Sequence, residues 1–236
     1  MDFRKLYDSI AESYDARHES PATLYMRKNE NSMVKRFARG RILDIGCGTG
    51  YHLRSVSNAV GIDISGGMLK IARKGGLDVR LGRAEKLPFE DNSFDTVFCF
   101  FTVLNMCDYR KAAAEMARVL RPGGAAVISV ASIWDRNHGL LKRLRIRHPA
   151  KDKSITIDGK RMRITLFGRK ELAGLFKKNG MEEKKSISLF KFHNPRWGNR
   201  DRLSFIERLR LRMDALPVFG SYGAIYIMAF KKTENK

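Results

Sequence analysis

Residues 41–50 read RILDIGCGTG, a run of aliphatic residues that leads directly into a loop with three glycines. The run predicts a short apolar strand. The glycines allow the backbone to turn tightly and to approach a ligand closely. Ligands of open parallel sheets bind beyond the carboxyl ends of the strands, so the loop at 46–50 is where we first expect a binding site.

The residues on either side of this loop continue a pattern of strands and helices. Strands that alternate with helices at this spacing predict a parallel sheet with right-handed crossovers. Residues 1–40 read as helical, because apolar residues recur there at helical spacing. The further strands are expected at 59–64, 79–82, 94–100 and 125–130, with a helix at 109–120 that Pro122, Gly123 and Gly124 terminate.

The second half of the chain is less regular. Asp158 and Gly159 stand between two short runs, 154–157 and 160–166, and this dipeptide is typical of a type I′ hairpin turn. A helix is predicted at 169–179, where a glycine follows as the stop signal, and two closing strands are predicted at 184–192 and 224–231.

The composition excludes several classes of protein. Of the 236 residues, 43% are hydrophobic, which is enough for a core and argues against a disordered chain. No stretch approaches the roughly 18 apolar residues of a membrane span, and the start of the chain lacks the apolar core of an export signal. The three cysteines, Cys47, Cys99 and Cys107, are too few for a disulfide framework or a zinc site. We therefore expect a cytoplasmic protein without a metal, with Cys99 and Cys107 packed in the core.

Positive charge is concentrated in the second half. The chain has 46 Lys and Arg against 25 Asp and Glu, for a formal net charge of +21. Residues 1–129 carry +5 of this charge and residues 130–236 carry +16. An excess of this size attracts polyanions such as nucleic acid or an anionic membrane surface. The alternative is a solvated surface that keeps the protein in solution.

The residues around the glycine loop narrow the choice of ligand. Tyr51 and Leu53 stand where a G-x-G-x-x-G motif would have its last glycine, which disfavours a nicotinamide dinucleotide. Asp63 ends the second strand, and an acidic side chain there can accept both hydroxyls of an unphosphorylated ribose. Asp44 suits a ligand with positive charge, such as an ammonium group. Together these features describe S-adenosylmethionine.

The chain resembles a known family in five motifs that occur in the same order and spacing. They are DIGCGTG (44–50), GIDIS (61–65), GRAEKLPF (82–89), DNSFDTV (91–97) and EMARVLRPGG (115–124). The family is the class I S-adenosylmethionine-dependent methyltransferases, and the closest resemblance is to the type 11 group. That group includes ubiquinone/menaquinone methyltransferases and the methyltransferases that modify wobble uridines in tRNA.

The resemblance implies an α/β fold with a Rossmann-like, seven-stranded, mostly parallel sheet and helices on both faces. It also implies S-adenosylmethionine as the cofactor of a methyltransferase. A single domain would span residues 1–236, with an N-terminal helical cap (1–40) and a cofactor-binding half (41–131). Insertions at 131–168 and 193–220 would form a basic lid on the substrate side.

Roles for individual residues follow from the resemblance by position. Arg83 stands where family members often carry Asp for the adenine amino group, so adenine recognition is expected to rest on the backbone or on Glu85. The methionine side would be lined by Asp44, Gly46 and Gly48, with Cys47 and Gly50 in the same loop, and Tyr14 would close over the methionine carboxylate. Asp63 would hold the ribose, Ile64, Met68, Ala84 and Glu85 would surround the adenine, and Phe100 and Phe101 would face the sulfonium.

The methylated atom is harder to predict. After the fourth strand the chain reads FFTVLNMCD (100–108), without the Asn/Asp-Pro-Pro-Tyr run by which many N-methyltransferases hold an amino nitrogen. A Pro-Cys nucleophile of the kind used in pyrimidine C5 chemistry is also absent from the sequence. No general base stands out, and His138, just after the fifth strand, is the one histidine that we would test in that role.

Cations interleaved with aromatic residues in the predicted lid are candidates for substrate binding, since they could hold phosphates and stack unpaired bases. We therefore favour RNA, and among RNAs tRNA, as the partner and methyl acceptor. A small hydrophobic, quinone or lipid-like acceptor is the alternative, and an RNA-binding or partner-activating pseudoenzyme is a third. A small activating protein subunit and peripheral membrane contact also stay open. The candidate substrate-binding residues are Trp134, Arg136, Arg143, Arg145, Arg147, Arg196, Trp197 and Arg200.

Overall fold

The strand before the glycine loop lies in the interior of a seven-stranded sheet. The computed structural model that shows this sheet describes residues 2–101, 103–134, 151–191, 205–213 and 222–234. All four residues of this strand are buried, because both faces of the sheet are covered by helices. The strands are β1 (Ile42–Ile45), β2 (Ala59–Asp63), β3 (Val79–Leu81), β4 (Phe94–Cys99), β5 (Leu120–Ala131), β6 (Asp152–Ile157), β7 (Lys160–Thr165), β8 (Met181–Leu189) and β9 (Ile225–Lys232).

The order of strands in the sheet is β3-β2-β1-β4-β5-β9-β8. From β3 to β5 all neighbours run parallel, whereas β9 is antiparallel to both β5 and β8. The predicted Rossmann-like, mostly parallel sheet is therefore confirmed. Because β1 lies between β2 and β4, the direction of winding reverses beside β1, and such a switch point opens a crevice at the carboxyl ends of the strands.

The helices divide between the two faces. Val97 and Cys99 of β4 pack in one cluster with residues of the helices that follow β4 and β7, whereas Phe98 packs in a second cluster with Met26 and Met33 of the N-terminal segment. This alternation is expected of a strand that is buried on both faces. The helices are α1 (Phe3–Ile10), α2 (Tyr14–Arg17), α3 (Pro21–Phe37), α4 (Gly66–Lys74), α5 (Val103–Met106), α6 (Tyr109–Val119), α7 (Arg169–Lys178) and α8 (Phe205–Met213).

The predicted hairpin is formed by β6 and β7, which pair with each other apart from the main sheet. Asp158 and Gly159 have φ values of 48° and 72°, as the predicted type I′ turn requires. The hairpin side chains Ile155, Ile157 and Met162 pack against α1. The hairpin therefore lies beside the N-terminal segment.

Two strands differ from their predicted bounds by three residues or more. β5 begins at Leu120 rather than at residue 125, because Leu120 pairs with Phe94 before a register shift leads to the pair Thr96 and Ala125. β8 begins at Met181 and ends at Leu189, three residues earlier at each end than predicted. Most of the predicted lid lies outside the described residues. Within them, no helix is both long enough and apolar enough to cross a membrane.

Candidate active site

A cavity of about 560 Å³ opens at the switch point beside β1, and residues of α1 form part of its wall. Its size is within the range of small-molecule sites. Ten of the thirteen residues predicted to bind a cofactor line it: Tyr14, Gly46, Gly48, Asp63, Ile64, Met68, Ala84, Glu85, Phe100 and Phe101.

The glycine loop brings bare backbone to this cavity. Gly46 and Gly48 have φ values of 72° and 55°, a region that residues with a side chain rarely adopt. A Cβ atom on Gly46 would lie 2.3 Å from a methyl carbon of Val103. A side chain is therefore disfavoured by conformation at both positions and by space at Gly46, so the loop presents its backbone to the cavity.

Asp63 lies in the cavity wall, at the end of β2. Its Oδ2 accepts a hydrogen bond of 2.9 Å from the N–H of Gly48, and its Oδ1 accepts one of 2.8 Å from the N–H of Ser65. Burial raises the pKa of Asp63, while these backbone donors act to lower it. A carboxylate oxygen can accept more than one hydrogen bond, so both oxygens can still accept from the hydroxyls of a ribose.

Three predicted residues are not part of the cavity lining. Asp44 is only 3% exposed, and burial raises its pKa to about 7. Cys47 packs in a core cluster with Leu53 instead. At Gly50 an added Cβ would lie 2.1 Å from a carbon of Leu77. Cys47 and Gly50 therefore contribute to the packing of the loop, and their predicted role in cofactor binding stays a prediction.

The N-terminal segment is hydrogen-bonded to both loops of the site, a connection that sequence reasoning missed. Asp8 accepts from the Ser65 hydroxyl at 2.7 Å and from the N–H of Gly67 at 2.9 Å, and these bonds lower the pKa of Asp8. Asp15 accepts from the Thr49 hydroxyl at 2.8 Å. The segment therefore anchors the glycine loop and the start of α4.

Aromatic side chains form one wall of the cavity. The ring of Tyr14 lies 4.1 Å from that of His18, and the ring of His18 lies 4.9 Å from that of Phe101. Phe101 has a φ of 56°, a left-handed conformation that costs a bulky residue roughly 1–3 kcal/mol. Such an outlier beside a cavity persists only where its surroundings hold it in place.

Other residues of the cavity lining add groups without charge. The Tyr7 hydroxyl donates to Sδ of Met106 at 3.4 Å, and burial raises its pKa to about 12. Cys107, predicted to lie in the core, is partly buried after the short helix α5, where it packs against the main core cluster and also lines the cavity. Burial raises the pKa of its thiol to about 12. Both groups are therefore protonated at neutral pH and add no negative charge to the cavity.

The predicted edge of the adenine site carries an ion pair. A guanidinium nitrogen of Arg83 lies 3.5 Å from Oε1 of Glu85, and both residues line the cavity. The Arg83 side chain is 73% exposed whereas that of Glu85 is 17% exposed. Arg83 thus holds the carboxylate that could accept a hydrogen bond from an amino group.

Of the predicted substrate-binding residues, Trp134 is the only one that lies among the described residues. Trp134 packs against the core, with its ring 5.0 Å from that of Tyr222, and does not line the cavity. Across the described ranges, no group of three or more His, Cys, Asp or Glu could hold a metal ion. His138, Arg136, Arg143, Arg145, Arg147, Arg196, Trp197 and Arg200 lie outside the described residues.

The residues present fit the cofactor that the resemblance implies. Asp63 supplies acceptors for a ribose diol, Gly46 and Gly48 supply backbone without side chains, and Ile64 and Met68 supply an apolar surface for a base. The carboxylates of Asp63 and Glu85 favour a ligand with positive charge over a phosphate.

Comparisons with known proteins agree with this fit. A family model described as a methyltransferase domain matches residues 43–128. An uncharacterized protein of Methanocaldococcus jannaschii is 36% identical over 196 residues, which are 77% of this chain and 77% of that protein. A demethylmenaquinone methyltransferase of Symbiobacterium thermophilum is 34% identical over 147 residues, 55% of this chain and 59% of that protein. The complex between the Haloferax volcanii Trm112 methyltransferase activator and a methyltransferase contains a chain with a TM-score of 0.67 at 19% identity, covering 100% of this chain and 99% of that chain.

Proposed function

We propose that this chain, which belongs to the class I S-adenosylmethionine-dependent methyltransferases, methylates a group in RNA. The favoured RNA species is tRNA. The observation that carries the proposal is the position of positive charge. Residues 130–236 hold +16 of the net charge of +21, and the described part of this half includes the hairpin beside α1.

The outer face of the hairpin presents cations next to the cavity wall. Arg161 and Arg163 are exposed, while the inner face packs on α1. Arg163 pairs with Asp152, whereas Arg161 has no acidic partner within 4.0 Å among the described residues. An RNA backbone that follows this face would find cations for its phosphates, with the cavity close enough to receive an unstacked base.

The residues of the cavity would act mainly by positioning. When bound, S-adenosylmethionine supplies an electrophilic methyl group on its sulfonium. Methyl transfer is an in-line displacement, so its rate depends on how the acceptor is oriented and on the exclusion of water. Asp63 would hold the ribose, and the aromatic wall of Tyr14 and Phe101 would exclude water.

A small hydrophobic, quinone-like acceptor is the second candidate. Apolar side chains in the cavity lining, among them Phe3, Val103 and Met106, favour such an acceptor. The Symbiobacterium relative named as a demethylmenaquinone methyltransferase also supports it. Capture of such a neutral molecule would not depend on salt, whereas RNA binding through phosphates weakens steeply as salt increases.

The proposal also includes the cellular location of the reaction and a protein partner. We expect the protein to act in the cytoplasm and to use a small activating subunit, since the structural neighbour described above was solved with the Trm112 activator. Co-expression with such a subunit would then raise methyl transfer or solubility.

The decisive experiment offers labelled cofactor to both acceptor classes. The purified protein, alone and with an activating subunit, is incubated with S-adenosylmethionine labelled in the methyl group and with total RNA or a lipid extract. Asp63→Ala serves as the inactive control. Label in RNA supports the proposal, and Arg143, Arg145 and Arg147 changed together to Glu should then abolish RNA binding while sparing the cofactor. Label in lipid alone overturns it in favour of the second candidate, and label in neither, with the cofactor bound, also counts against RNA.

A further inference from the structure

Glu30 in helix α3 is a buried carboxylate that does not line the cavity and has no role in the cofactor site described above. It is 0% exposed, and a carboxylate removed from water in this way is stable only with partners. Its Oε1 accepts a hydrogen bond of 2.5 Å from the hydroxyl of Ser129. Its Oε2 lies 3.3 Å from Nε2 of His52, without the alignment of a hydrogen bond.

Ser129 passes this connection on to the turn after β4. Its Oγ accepts a hydrogen bond of 2.7 Å from the N–H of Phe101. A serine hydroxyl has one hydrogen and two lone pairs. Because Glu30 takes the hydrogen, a lone pair of Ser129 is directed at the N–H of Phe101.

Phe101 is the residue that needs such an anchor. Its φ of 56° is a conformation that a phenylalanine leaves unless neighbouring groups hold it. Phe101 lines the cavity, and its ring contacts His18 in the N-terminal segment. The bond to Ser129 therefore acts on the part of the wall predicted to face the sulfonium.

His52 supports the same turn from behind. Its ring lies 4.5 Å from that of Phe100, the neighbouring residue of the cavity wall, and its Nδ1 lies 3.1 Å from Oδ1 of Asn31. The Glu30 carboxylate thus has one oxygen connected to Phe101 through Ser129 and the other beside a ring that packs on Phe100.

We propose that Glu30 and Ser129 are positioning residues that hold the Phe100–Phe101 turn in the shape required for cofactor binding. Neither lines the cavity. Both residues act through the backbone N–H of Phe101. Glu30 and Ser129 are 99 residues apart in the chain and meet in the folded structure. The inference concerns the cofactor side of the site and does not require RNA to be the acceptor.

Ser129→Ala is the first test, with cofactor affinity measured by calorimetry and stability measured by thermal unfolding. Loss of the anchor should weaken affinity for S-adenosylmethionine by about tenfold, which corresponds to one hydrogen bond. Thr96→Val is the matched control. Thr96 is a fully buried hydroxyl on β4 that accepts from the N–H of Arg39 and donates to the carbonyl of Phe37, away from the cavity.

A loss of stability alone does not support the proposal. Thr96→Val is expected to lower the melting temperature while leaving cofactor affinity unchanged. If Ser129→Ala likewise lowers only the melting temperature, the role of Ser129 is structural and the proposal is overturned.

Substitutions of Glu30 separate its hydrogen bond from its charge. In Glu30→Gln an amide oxygen still accepts from Ser129, so cofactor affinity should be retained. Glu30→Leu removes the acceptor and should weaken affinity as Ser129→Ala does. These variants decide the question even if Ser129→Ala does not fold. Equal affinities for the Gln and Leu variants would contradict the proposed relay.

A double substitution tests whether the effect passes through Phe101. Glycine adopts positive φ without strain, so the turn depends less on its anchor in a Phe101→Gly background. Ser129→Ala should then have a smaller effect on cofactor affinity. An equal loss of affinity in both backgrounds would show that Ser129 acts by another route.

Discussion

The N–H of Gly48 donates a hydrogen bond of 2.9 Å to the carboxylate of Asp63, which lies at the end of the neighbouring strand. The residues predicted to contact the methionine part and the ribose of the cofactor are therefore hydrogen-bonded to each other. The bond fixes the glycine loop relative to β2. A substitution at either residue should therefore alter the position of the other.

Asp63→Ala is expected to weaken S-adenosylmethionine binding by about 100-fold, because it removes two charge-assisted hydrogen bonds to the ribose of roughly 1.5 kcal/mol each. Calorimetry with the purified protein measures the change. Asp78→Ala, at an exposed carboxylate whose partner is Arg80, is the control and should bind as the native chain does. Unchanged affinity in Asp63→Ala would refute the ribose assignment.

Asp44 should make the free energy of unfolding depend on pH. Its pKa is 3.8 ordinarily and about 7 in the folded protein, so between these values the folded state binds more protons than the unfolded state. Stability should therefore fall as pH rises through this window, by up to about 1.4 kcal/mol per pH unit.

The test of this dependence is urea unfolding of the native chain and of Asp44→Asn, without cofactor, from pH 4 to pH 8. Because Asn does not titrate, the variant should gain stability relative to the native chain as pH rises to about 7 and then stay level. Parallel curves for the two proteins would show that Asp44 is ionised throughout.

The hairpin charges should matter for RNA. Arg161→Glu with Arg163→Glu should weaken RNA binding about tenfold and lower the slope of log affinity against log salt by about 2. Filter binding at several salt concentrations measures both. Lys177→Glu with Lys178→Glu, exposed at the end of α7, makes the same change of charge and should have a smaller effect. Equal effects would mean that net charge, and not the hairpin, drives binding.

The three cysteines should react slowly with thiol reagents. Burial raises the pKa of Cys47, Cys99 and Cys107, and the thiolate is the reactive form. Folded protein should show almost no fast modification at pH 8, while unfolded protein should react at all three. Cys107→Ala should retain cofactor affinity, because the thiol only contributes to the apolar lining. A fast-reacting thiol in folded protein would point to an activated cysteine.

The sheet and the glycine loop could be predicted because their signals are contiguous. An aliphatic run followed by Gly46 and Gly48 marks a strand and the loop after it, and Asp63 follows the next strand in the same way. β8 was placed three residues late, because Glu182 and Glu183 hide the apolar pattern at its start. The early pairing of Leu120 with Phe94 has no local signal either, since a glycine-rich stop follows it.

The residues that shape the cavity wall from behind could not be predicted. Glu30 and Ser129 meet across 99 residues, and Asp8 reaches Ser65 across 57. Each is an ordinary polar residue in its own segment. Only the fold brings them together, and the contact of Cys107 with the cavity has the same origin.

The position of β9 has a consequence for how the protein is made. β9 follows β8 in the chain, yet it lies between β5 and β8 in the sheet. A nascent chain on the ribosome therefore has β5 with one open edge, and β8 with no strand to pair with, until β9 has been synthesised. Open strand edges invite association with other chains, so we expect this protein to need protection until β9 has joined the sheet.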